Sequence, residues 1–453
     1  MNHPKAREIT KEIASYAVGT RYDALPDAVQ KEGARTFLNW MGCVLGGCHD
    51  AAVDIADSVV AEAGGNPLAS VIGRGRRANI QDAAFLNCLS STVNSFDDTH
   101  LATVTHPTGP VAAALFAYSE KHAVSGQEFV NALVLGIEIE CRLSNVLLME
   151  PAQANLGLFI TGITGPIGAA VALGRLMQFD EERMRWAIGI AATQACGVRA
   201  THGAMGAFFV PAHAARSGVW GAMLAQKGFT STDHVLEGAK GLVEIFAGNA
   251  NLDLAVEGLG QHFELLANAY KPYPSGIVVQ PVIDSCLEIA PQIADCRSVA
   301  SVKLMVHPLA LNLTGRREPK NPVEAQISLF HWAAACLLQR TAGLAQLSQQ
   351  CIDDSDVAQL RARIEAIADK NLERDEAIAE VLLVDGRVLR AHVAHARGSK
   401  ERPMTDAELD AKFTAQAVTV LSSEASDQLR YMCRNLAALH HTGDEIGRIC
   451  GAM

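Results

Sequence analysis

Apolar residues recur at helical spacing from the N-terminus to about residue 268, and glycine or proline separates the segments. The clearest helical segments span residues 126–148, 180–196 and 211–226, and Pro211 is suited to the first position of the third. Residues 231–234, STDH, offer capping residues for a following helix. The first 18 residues read as an amphipathic helix. This half of the chain therefore predicts a large all-helical domain.

The pattern changes after residue 271. Residues 298–306 alternate apolar with polar side chains, as a half-buried strand does, and residues 378–393 hold two β-rich runs joined at Asp385-Gly386, a hairpin signal. Helical stretches near 322–338 and 356–370 lie between these strands. Past Pro403 the helical spacing returns at 406–420 and 429–436. We predict a mainly α fold: a helical domain of residues 1–268, a smaller α+β domain of residues 269–404, and a helical return, 405–453, packed on the first domain.

Composition narrows the class of protein. The 453 residues are 49% hydrophobic and 19% charged, which is typical of a globular protein with a large core. A net charge of −11 argues against nucleic acid and anionic membranes as partners, because both favour basic surfaces. The short basic run at residues 74–77, RGRR, is therefore interpreted as a solvated loop. So apolar a chain also suggests a buried subunit interface, and we expect a homodimer.

Eleven scattered cysteines without a CxxC pair, and no secretory signal before them, indicate a reducing, cytoplasmic location. Residues 151–174 carry no charge, as a membrane span would, but glycines interrupt them repeatedly. We therefore expect a buried loop that leads into a core helix, and no membrane partner.

The segment 94–109 gathers two carboxylates, four threonines and two imidazoles between apolar helices. His106 or Gly109 is a candidate N-cap of an apolar helix at 111–118, whose positive end would lower the pKa of His106 and leave a neutral base. The free N–H groups at the same helix end are suited to a substrate carboxylate. The residue chemistry fits a second interpretation equally well, in which Asp97, Asp98 and Thr99 cap a solvated turn and His106 is a core histidine.

A second candidate is residues 271–274, KPYP, where two X-Pro steps force an extended backbone at the change from helical to mixed pattern. Lys271 is placed to meet an anion in an interdomain cleft, unless the segment is only a rigid linker with a solvated lysine. We interpret the glycine-rich stretch 203–216 as serving close helix packing. His392 and His395, three apart in a predicted strand, face opposite sides, which argues against a metal site.

The chain contains no P-loop, GxGxxG, HExxH or GxSxG motif. It does resemble the MmgE/PrpD family, which includes 2-methylcitrate dehydratase, cis-aconitate decarboxylase and iminodisuccinate epimerase. The resemblance rests on stretches that follow one another along nearly the whole chain: FDDTH with HPTG (96–109), HAAR (213–216), AQKGFT (225–230), KPYPSG (271–276), LTG with EAQISLFH (313–331), and the DG hairpin followed by PMT and KF (385–413).

The resemblance implies a helical domain with a smaller α+β lid domain, a homodimer, and a site in the cleft between domains that uses no metal or cofactor. By family pattern, Thr99 and His106 match active-site positions, and Lys271 matches a lysine that meets substrate carboxylate. The family chemistry removes a proton beside a carboxylate. We therefore expect His106 as general acid/base and Asp98 as its assistant, with Thr99 and Lys271 binding substrate.

We assign Asp97, Tyr273 and Arg316 to the substrate-binding set as well. Four positions depart from the family pattern. Phe159 stands where members that act on tricarboxylates often carry histidine, Ala207 or Val210 where many carry lysine, Gly276 where the decarboxylase has histidine, and Ser95 where aspartate is frequent. These losses argue against cis-aconitate decarboxylation.

The sequence therefore predicts a hydro-lyase acting on a small hydroxylated di- or tricarboxylic acid. Epimerisation of a dicarboxylate by the same proton abstraction is the alternative. Decarboxylation and an inactive ligand-binding homologue rank below both.

Overall fold

A computed structural model describes residues 7–152, 155 and 157–450. Its first part holds ten α-helices and two pairs of three-residue strands. The helices are α1 (Ile9–Gly19), α2 (Asp27–Gly47), α3 (Ala51–Ala63), α4 (Ile80–Thr92), α5 (Thr108–Ser119), α6 (Gly126–Leu148), α7 (Ile160–Leu176), α8 (Glu181–Ala192), α9 (Gly206–Gln226) and α10 (Leu242–Ala247). The strands are β1 (Ala69–Val71), β2 (Arg76–Ala78), β3 (Asp98–His100) and β4 (Asn268–Tyr270).

The remaining elements form the mixed part and the C-terminal helices. They are α11 (Gln280–Ile289), β5 (Val299–Val306), α12 (Pro308–Thr314), α13 (Pro322–Gln326), α14 (Leu329–Gln339), α15 (Gln349–Asp353), α16 (Ser355–Ala362), β6 (Ile364–Ala368), β7 (Ala377–Leu383), β8 (Val388–Val393), α17 (Asp406–Ala417), α18 (Ser423–Arg434) and α19 (Thr442–Cys450). The fold is mainly α with a smaller α+β part, as the sequence predicts.

Small residues let the central helices pack closely. A Cβ on Gly136 of α6 would lie 2.7 Å from the carbonyl oxygen of Gly168 in α7, so neither helix could approach as closely with larger residues there. The helix α6 begins with a capping box in which Ser125 and Glu128 satisfy each other's backbone N–H groups. The abundance of alanine and glycine in the sequence thus has a packing reason.

The mixed part is built on one four-stranded sheet of order β6-β5-β7-β8. Strands β7 and β8 form the antiparallel hairpin predicted at Asp385-Gly386, and β5 lies antiparallel to β7 but parallel to β6. Gly386 has φ 88°, a left-handed conformation that glycine adopts without strain. Helices α11 and α14 cover one face.

Three hydrophobic clusters form the core. Residues 25–270 and 404–450 supply the first, residues 269–391 the second, and residues 9–256 the third. The C-terminal helices therefore pack into the same cluster as α2, α4 and α5. Domain boundaries near 268 and 404 remain a proposal that this clustering supports.

Several local predictions need correction. Helix α9 begins at Gly206, so Pro211 lies inside it, because the burial of Phe208 and Val210 extends the helix towards its N-terminus. Residues 231–234 start no helix, since Gly238 and Gly241 shape a turn before α10 begins at Leu242.

In the mixed part, the stretch 356–370 is a helix only to Ala362. It then continues as β6, which pairs with the free edge of β5 and buries Ile364. The stretch 322–338 is two helices, because the Ser328 hydroxyl accepts from the His331 N–H and starts α14 anew.

Residues 151–174 do lead into the buried helix α7, although 153, 154 and 156 lie outside the described residues, as do 1–6 of the predicted N-terminal helix and 451–453 of the predicted helical return. In the part of the chain that the structure describes, no helix is both long and apolar enough to cross a membrane.

Candidate active site

Two short strands join the candidate loop to the KPYP segment. Strand β3 pairs antiparallel with β4, so that Asp98 lies opposite Tyr270 and His100 opposite Asn268. The residue before β3, Asp97, and the residue after β4, Lys271, are thereby brought side by side. The Lys271 ammonium donates to Asp97 Oδ1 at 2.7 Å. The structure thus places together two segments that the sequence separates by about 170 residues.

The loop after β3 fixes the ring of His106. Its Nδ1 lies 3.0 Å from the backbone carbonyl oxygen of Asp98 and 3.1 Å from Thr99 Oγ1, and its backbone N–H donates to Thr161 Oγ1 at 2.9 Å. A carbonyl oxygen only accepts, so Nδ1 carries the proton in the neutral ring. The lone pair is then on Nε2, which is the arrangement a general base needs.

Backbone strain marks the walls of this site. Ser95 has φ 46° and Val104 has φ 55°, the left-handed region that side-chain-bearing residues rarely adopt. Both residues line the cavity into which the His106 ring opens. Strained positions persist where the surroundings enforce them, and they concentrate at functional sites.

Asp97 lies between the Lys271 ammonium and the His106 ring. Its Oδ1 accepts from Lys271, and its Oδ2 lies 3.4 Å from His106 Nδ1. Burial alone would raise the pKa of Asp97, but the charges of Lys271 and His106 outweigh burial and hold that pKa below its usual range. Asp97 is therefore an anion beside the imidazole, where a negative charge would stabilise an imidazolium.

Burial lowers the pKa of His106, with the Lys271 charge adding to the effect and Asp97 opposing it. The predicted outcome, a neutral base, thus has a different cause from the one the sequence suggested. Helix α5 begins at Thr108 with Pro107 as N-cap, so neither His106 nor Gly109 caps it. The first residues of α5 are buried away from the cavity and do not offer it their N–H groups.

Asp98 contacts the imidazole only through its backbone. Its carboxylate accepts from Thr108 Oγ1 at 2.6 Å and from the amide of Asn268, and it does not reach His106. Burial raises the pKa of Asp98 to about 6, and the charge of Asp97 adds to that rise. The predicted assistant of His106 is therefore a positioning residue that ties β3 to β4 and α5.

A buried lysine from the C-terminal return supports both halves of the site. Lys412 of α17 donates from Nζ to Asn39 Oδ1 at 2.7 Å, to the Phe96 carbonyl at 2.7 Å and to the Lys271 carbonyl at 2.9 Å. Burial lowers the pKa of Lys412 to about 8. Lys412 belongs to the KF stretch that matches the family pattern, but the sequence assigned it no role in the site, although its spacing from Leu409 and Gln416 places all three on one helix face.

These groups open into a cavity of about 100 Å³, which we call the inner cavity. Residues from both sides of position 268 line it. They are Thr92, Ser95, Asp97, Val104, His106, Phe159, Arg199, His202, Gly203, Ala207, Phe208, Pro211, Lys271, Gly276, Ile277, Val278, Leu313, Thr314, Val323, Gln326 and Ile327. The volume suffices for a small organic acid in place of a few waters.

The predicted site residues are not all brought together. Asp97, His106 and Lys271 line the inner cavity, and Thr99 lies behind His106 as its hydrogen-bond partner. Lys271 is 1% exposed, so it is not the solvated linker lysine of the alternative interpretation.

Two predicted residues lie elsewhere. Tyr273 points its hydroxyl at Asp284, 2.8 Å away, and does not line the cavity. Arg316 pairs with Glu324 at 3.0 Å and lines an adjoining outer cavity, described below.

Two titratable residues outside the predicted set, Arg199 and His202, also line the inner cavity. Arg199 donates from Nε to the Leu158 carbonyl at 2.9 Å, and His202 lies within ring contact of Phe159. Both belong to the irregular connection between α8 and α9, which has no periodicity to draw attention to a buried arginine. The flanking Gly197 and Gly203, with φ 141° and 92°, are the signal that a shaped loop lies there.

The positions that depart from the family pattern all face the inner cavity. Phe159, Ala207, Gly276 and Ser95 line it, whereas Val210, the other candidate for the lost lysine, does not. A separate group, Asp375, His395 and Glu401, brings its ligand atoms within 4.8 Å of one another, but none of the three lines the inner cavity. His392 pairs instead with Glu376, at 2.7 Å.

Comparisons with known proteins cover most of the chain. The model of the MmgE/PrpD N-terminal domain matches residues 11–255, and that of the MmgE/PrpD C-terminal domain matches residues 273–438. A cis-aconitate decarboxylase-like protein of Aspergillus oryzae is 24% identical over 485 residues, covering 98% of each protein. The cis-aconitate decarboxylase of Aspergillus terreus is 26% identical over 75% of this chain and 74% of its own length. The human cis-aconitate decarboxylase is 23% identical over 96% of this chain and 92% of its own length.

Proposed function

Because this chain belongs to the MmgE/PrpD family, we propose that it is a hydro-lyase acting on a small hydroxylated di- or tricarboxylic acid. The observation that carries the proposal is the held imidazole of His106, whose Nδ1 is occupied by the Asp98 carbonyl at 3.0 Å while the ring lines a cavity that also presents Lys271. A base with a free nitrogen beside a cation is what proton abstraction next to a carboxylate requires.

In the proposed reaction, His106 Nε2 removes the proton from the carbon beside a substrate carboxylate. Lys271 holds that carboxylate and stabilises the charge that develops on it. The electron pair of the broken C–H bond forms the double bond, and the C–O bond to the neighbouring hydroxyl breaks. The imidazolium returns its proton to the leaving hydroxyl, which departs as water. Asp97 stabilises the imidazolium between these two transfers.

Decarboxylation is the second candidate, since the relatives named above are cis-aconitate decarboxylases or resemble one. Against it stand Phe159, Ala207 and Gly276, which provide no charge at positions where the family pattern has histidine or lysine. Epimerisation needs the same abstraction followed by reprotonation on the other face, with no leaving group.

Proton NMR in D2O separates these reactions. Wild-type protein is incubated with a panel of hydroxylated di- and tricarboxylic acids and with cis-aconitate. We expect a vinylic signal and loss of the hydroxylated carbon from at least one acid, and a rate lowered at least about 100-fold in His106→Asn. Deuterium incorporation without an alkene would instead show epimerisation, and carbon dioxide release from cis-aconitate would show decarboxylation.

The homodimer and the cytoplasmic location expected from the sequence remain part of the proposal. Sedimentation velocity of the purified chain tests the first directly. A monomer at micromolar concentration would contradict it.

A further inference from the structure

The inner cavity presents few positive charges. Among the residues that the structure describes, its cationic side chains are Lys271 and Arg199. Lys271 already holds Asp97, whereas the terminal nitrogens of Arg199 have no hydrogen-bond partner among the described residues. Burial lowers the pKa of His106, and it lowers the pKa of His202 to about 4, so both imidazoles are neutral near pH 7. Arg199 is therefore the free anion-binding group.

The wall around the imidazoles is apolar. The ring centroid of Phe159 lies 6.1 Å from that of His106 and 5.0 Å from that of His202, edge-on to both. Ala207 and Val278 line the same space. A carboxylate placed against this wall would lose its hydration without gaining a cation, whereas an alkyl group would be transferred from water to an apolar surface.

Most polar groups in the lining already have protein partners. Ser95 is hydrogen-bonded to Gln326, which in turn donates to the Val93 carbonyl. The hydroxyls of Thr92 and Thr314 donate to the carbonyls of Leu89 and Ala310, respectively. Because these groups are already hydrogen-bonded, they would not replace the hydrogen bonds to water that a third carboxylate loses when it enters the cavity. The cationic donors left for a ligand are thus the terminal nitrogens of Arg199 and the protons of the Lys271 ammonium that Asp97 does not take.

Arg199 stands at the boundary with the outer cavity, a more open space of about 430 Å³ that Arg199, His202, Asn312 and Arg316 help to line. Arg316 is neutralised there by Glu324, 3.0 Å away. An acid that enters from the outer cavity therefore meets the unpaired guanidinium of Arg199 at the entrance to the inner cavity.

Resting on the proposed function, we propose that the substrate is a dicarboxylate carrying an apolar substituent near the carbon that loses its proton. One carboxylate lies at Lys271, the second is bound by Arg199, and the substituent packs on Phe159, Ala207 and Val278. Compounds with three carboxylates fit this cavity poorly.

Isothermal titration calorimetry with acids that have no hydroxyl to eliminate tests this assignment. The probes are succinate, butylsuccinate and tricarballylate, each titrated into the wild-type chain. We expect butylsuccinate to bind at least about tenfold more tightly than succinate, because each buried methylene adds about fourfold, and more tightly than tricarballylate. Tricarballylate binding as tightly as butylsuccinate, or more so, would overturn the proposal.

Two arginine variants form a matched pair. Arg199→Gln should weaken butylsuccinate at least about tenfold, because a charge-assisted contact is lost. Arg316→Gln, which removes an arginine already paired with Glu324, should change affinity less than about threefold. Equal losses in the two variants would place the second carboxylate in the outer cavity and refute the assignment. Circular dichroism of both variants verifies that they fold.

A third variant addresses the apolar wall. Phe159→His should reduce the preference for butylsuccinate over tricarballylate, and an unchanged preference would remove Phe159 from the binding site. All these measurements are independent of turnover. Binding as expected without elimination from any hydroxylated acid would refute the proposed reaction alone, whereas elimination from a tricarboxylate with a preference for tricarballylate would refute the substrate class alone.

Discussion

Replacing Lys412 with methionine removes one ammonium from beneath the site and keeps a side chain of similar length. The three oxygens that Nζ now contacts belong to Asn39, Phe96 and Lys271, at 2.7, 2.7 and 2.9 Å. Phe96 directly precedes Asp97. The variant therefore releases the backbone on both sides of the Asp97–Lys271 ion pair.

The magnitude follows from opposing terms. A hydrogen bond from a charged donor contributes about 1.5–3 kcal/mol, and three are lost. Burial of the ammonium offsets part of this, since lowering the pKa of Lys412 from 10.5 to about 8 corresponds to about 3 kcal/mol. The Asn39 side chain would also be left without a described partner, because its amide nitrogen already has none. We expect a net loss of about 2–5 kcal/mol in the free energy of unfolding.

The assay is urea unfolding followed by circular dichroism, with Lys303→Met, an exposed lysine on β5, as the control. The pH gives a second signature. Between pH 8 and 10.5 the folded chain has released the Lys412 proton and the unfolded chain has not, so the unfolded state binds more protons and wild-type stability rises with pH. The difference in free energy of unfolding between the wild type and Lys412→Met should therefore increase from pH 8 to pH 10.5. A gap below about 1 kcal/mol, or one independent of pH, would refute the reasoning.

Substitutions at Asp98, Glu140 and Gly162 have expected outcomes, with Gly19 as a control for the last. Asp98→Asn keeps an acceptor for the two groups that donate to Asp98 and should retain most turnover, while Asp98→Ala should lower the free energy of unfolding in urea by about 1–3 kcal/mol. If Asp98→Asn lost as much turnover as His106→Asn, that result would contradict a positioning role for Asp98. Glu140 is buried, and neither of its carboxylate oxygens has a hydrogen-bond partner among the described residues. Burial raises the pKa of Glu140 well above 4.5. Above pH 4.5 the folded state therefore keeps a proton on Glu140 that the unfolded state has released, and the stability of the wild type falls as pH rises. Glu140→Gln should therefore gain stability over wild type as pH increases above 4.5, and a constant difference in urea titrations would count against this. Gly162→Ala places a Cβ 2.0 Å from the Cys196 carbonyl oxygen and should lower the free energy of unfolding by about 1–3 kcal/mol. Gly19→Ala, whose Cβ would have no atom within 4 Å, should not lower it. Equal unfolding midpoints for the two variants would refute the close contact.

The fold was largely predictable because its long elements have strong patterns. Helix α6 spans the predicted residues, and the β7–β8 hairpin follows from a single Asp-Gly turn between alternating runs. The failures occurred where tertiary contacts outweigh local preference. The edge of β5 converts the end of a predicted helix into β6, and packing extends α9 past Pro211.

The site was predictable only in part. A density of polar residues identified the loop of His106, but the pairing of β3 with β4 joins three-residue strands that have no β pattern of their own. Because this pairing could not be recognised in the sequence, the sequence did not predict that Asp97 lies beside Lys271. Arg199 lies in an irregular segment without a local motif, and the KF stretch gave no sign that Lys412 reaches the site from a distant helix. The carboxylate of Asp98 faces Thr108 instead of the imidazole it was expected to assist.

The proposed reaction depends on an unprotonated Nε2 of His106 at the cavity near pH 7. Nitrogen-15 NMR of the histidine-labelled chain, with His106→Asn to assign the signal, measures it without knowledge of the substrate. We predict a protonated Nδ1, an unprotonated Nε2 and a pKa below 6.5, because burial disfavours the imidazolium. A proton on Nε2 in the neutral ring, or a pKa above 6.5, would contradict the account.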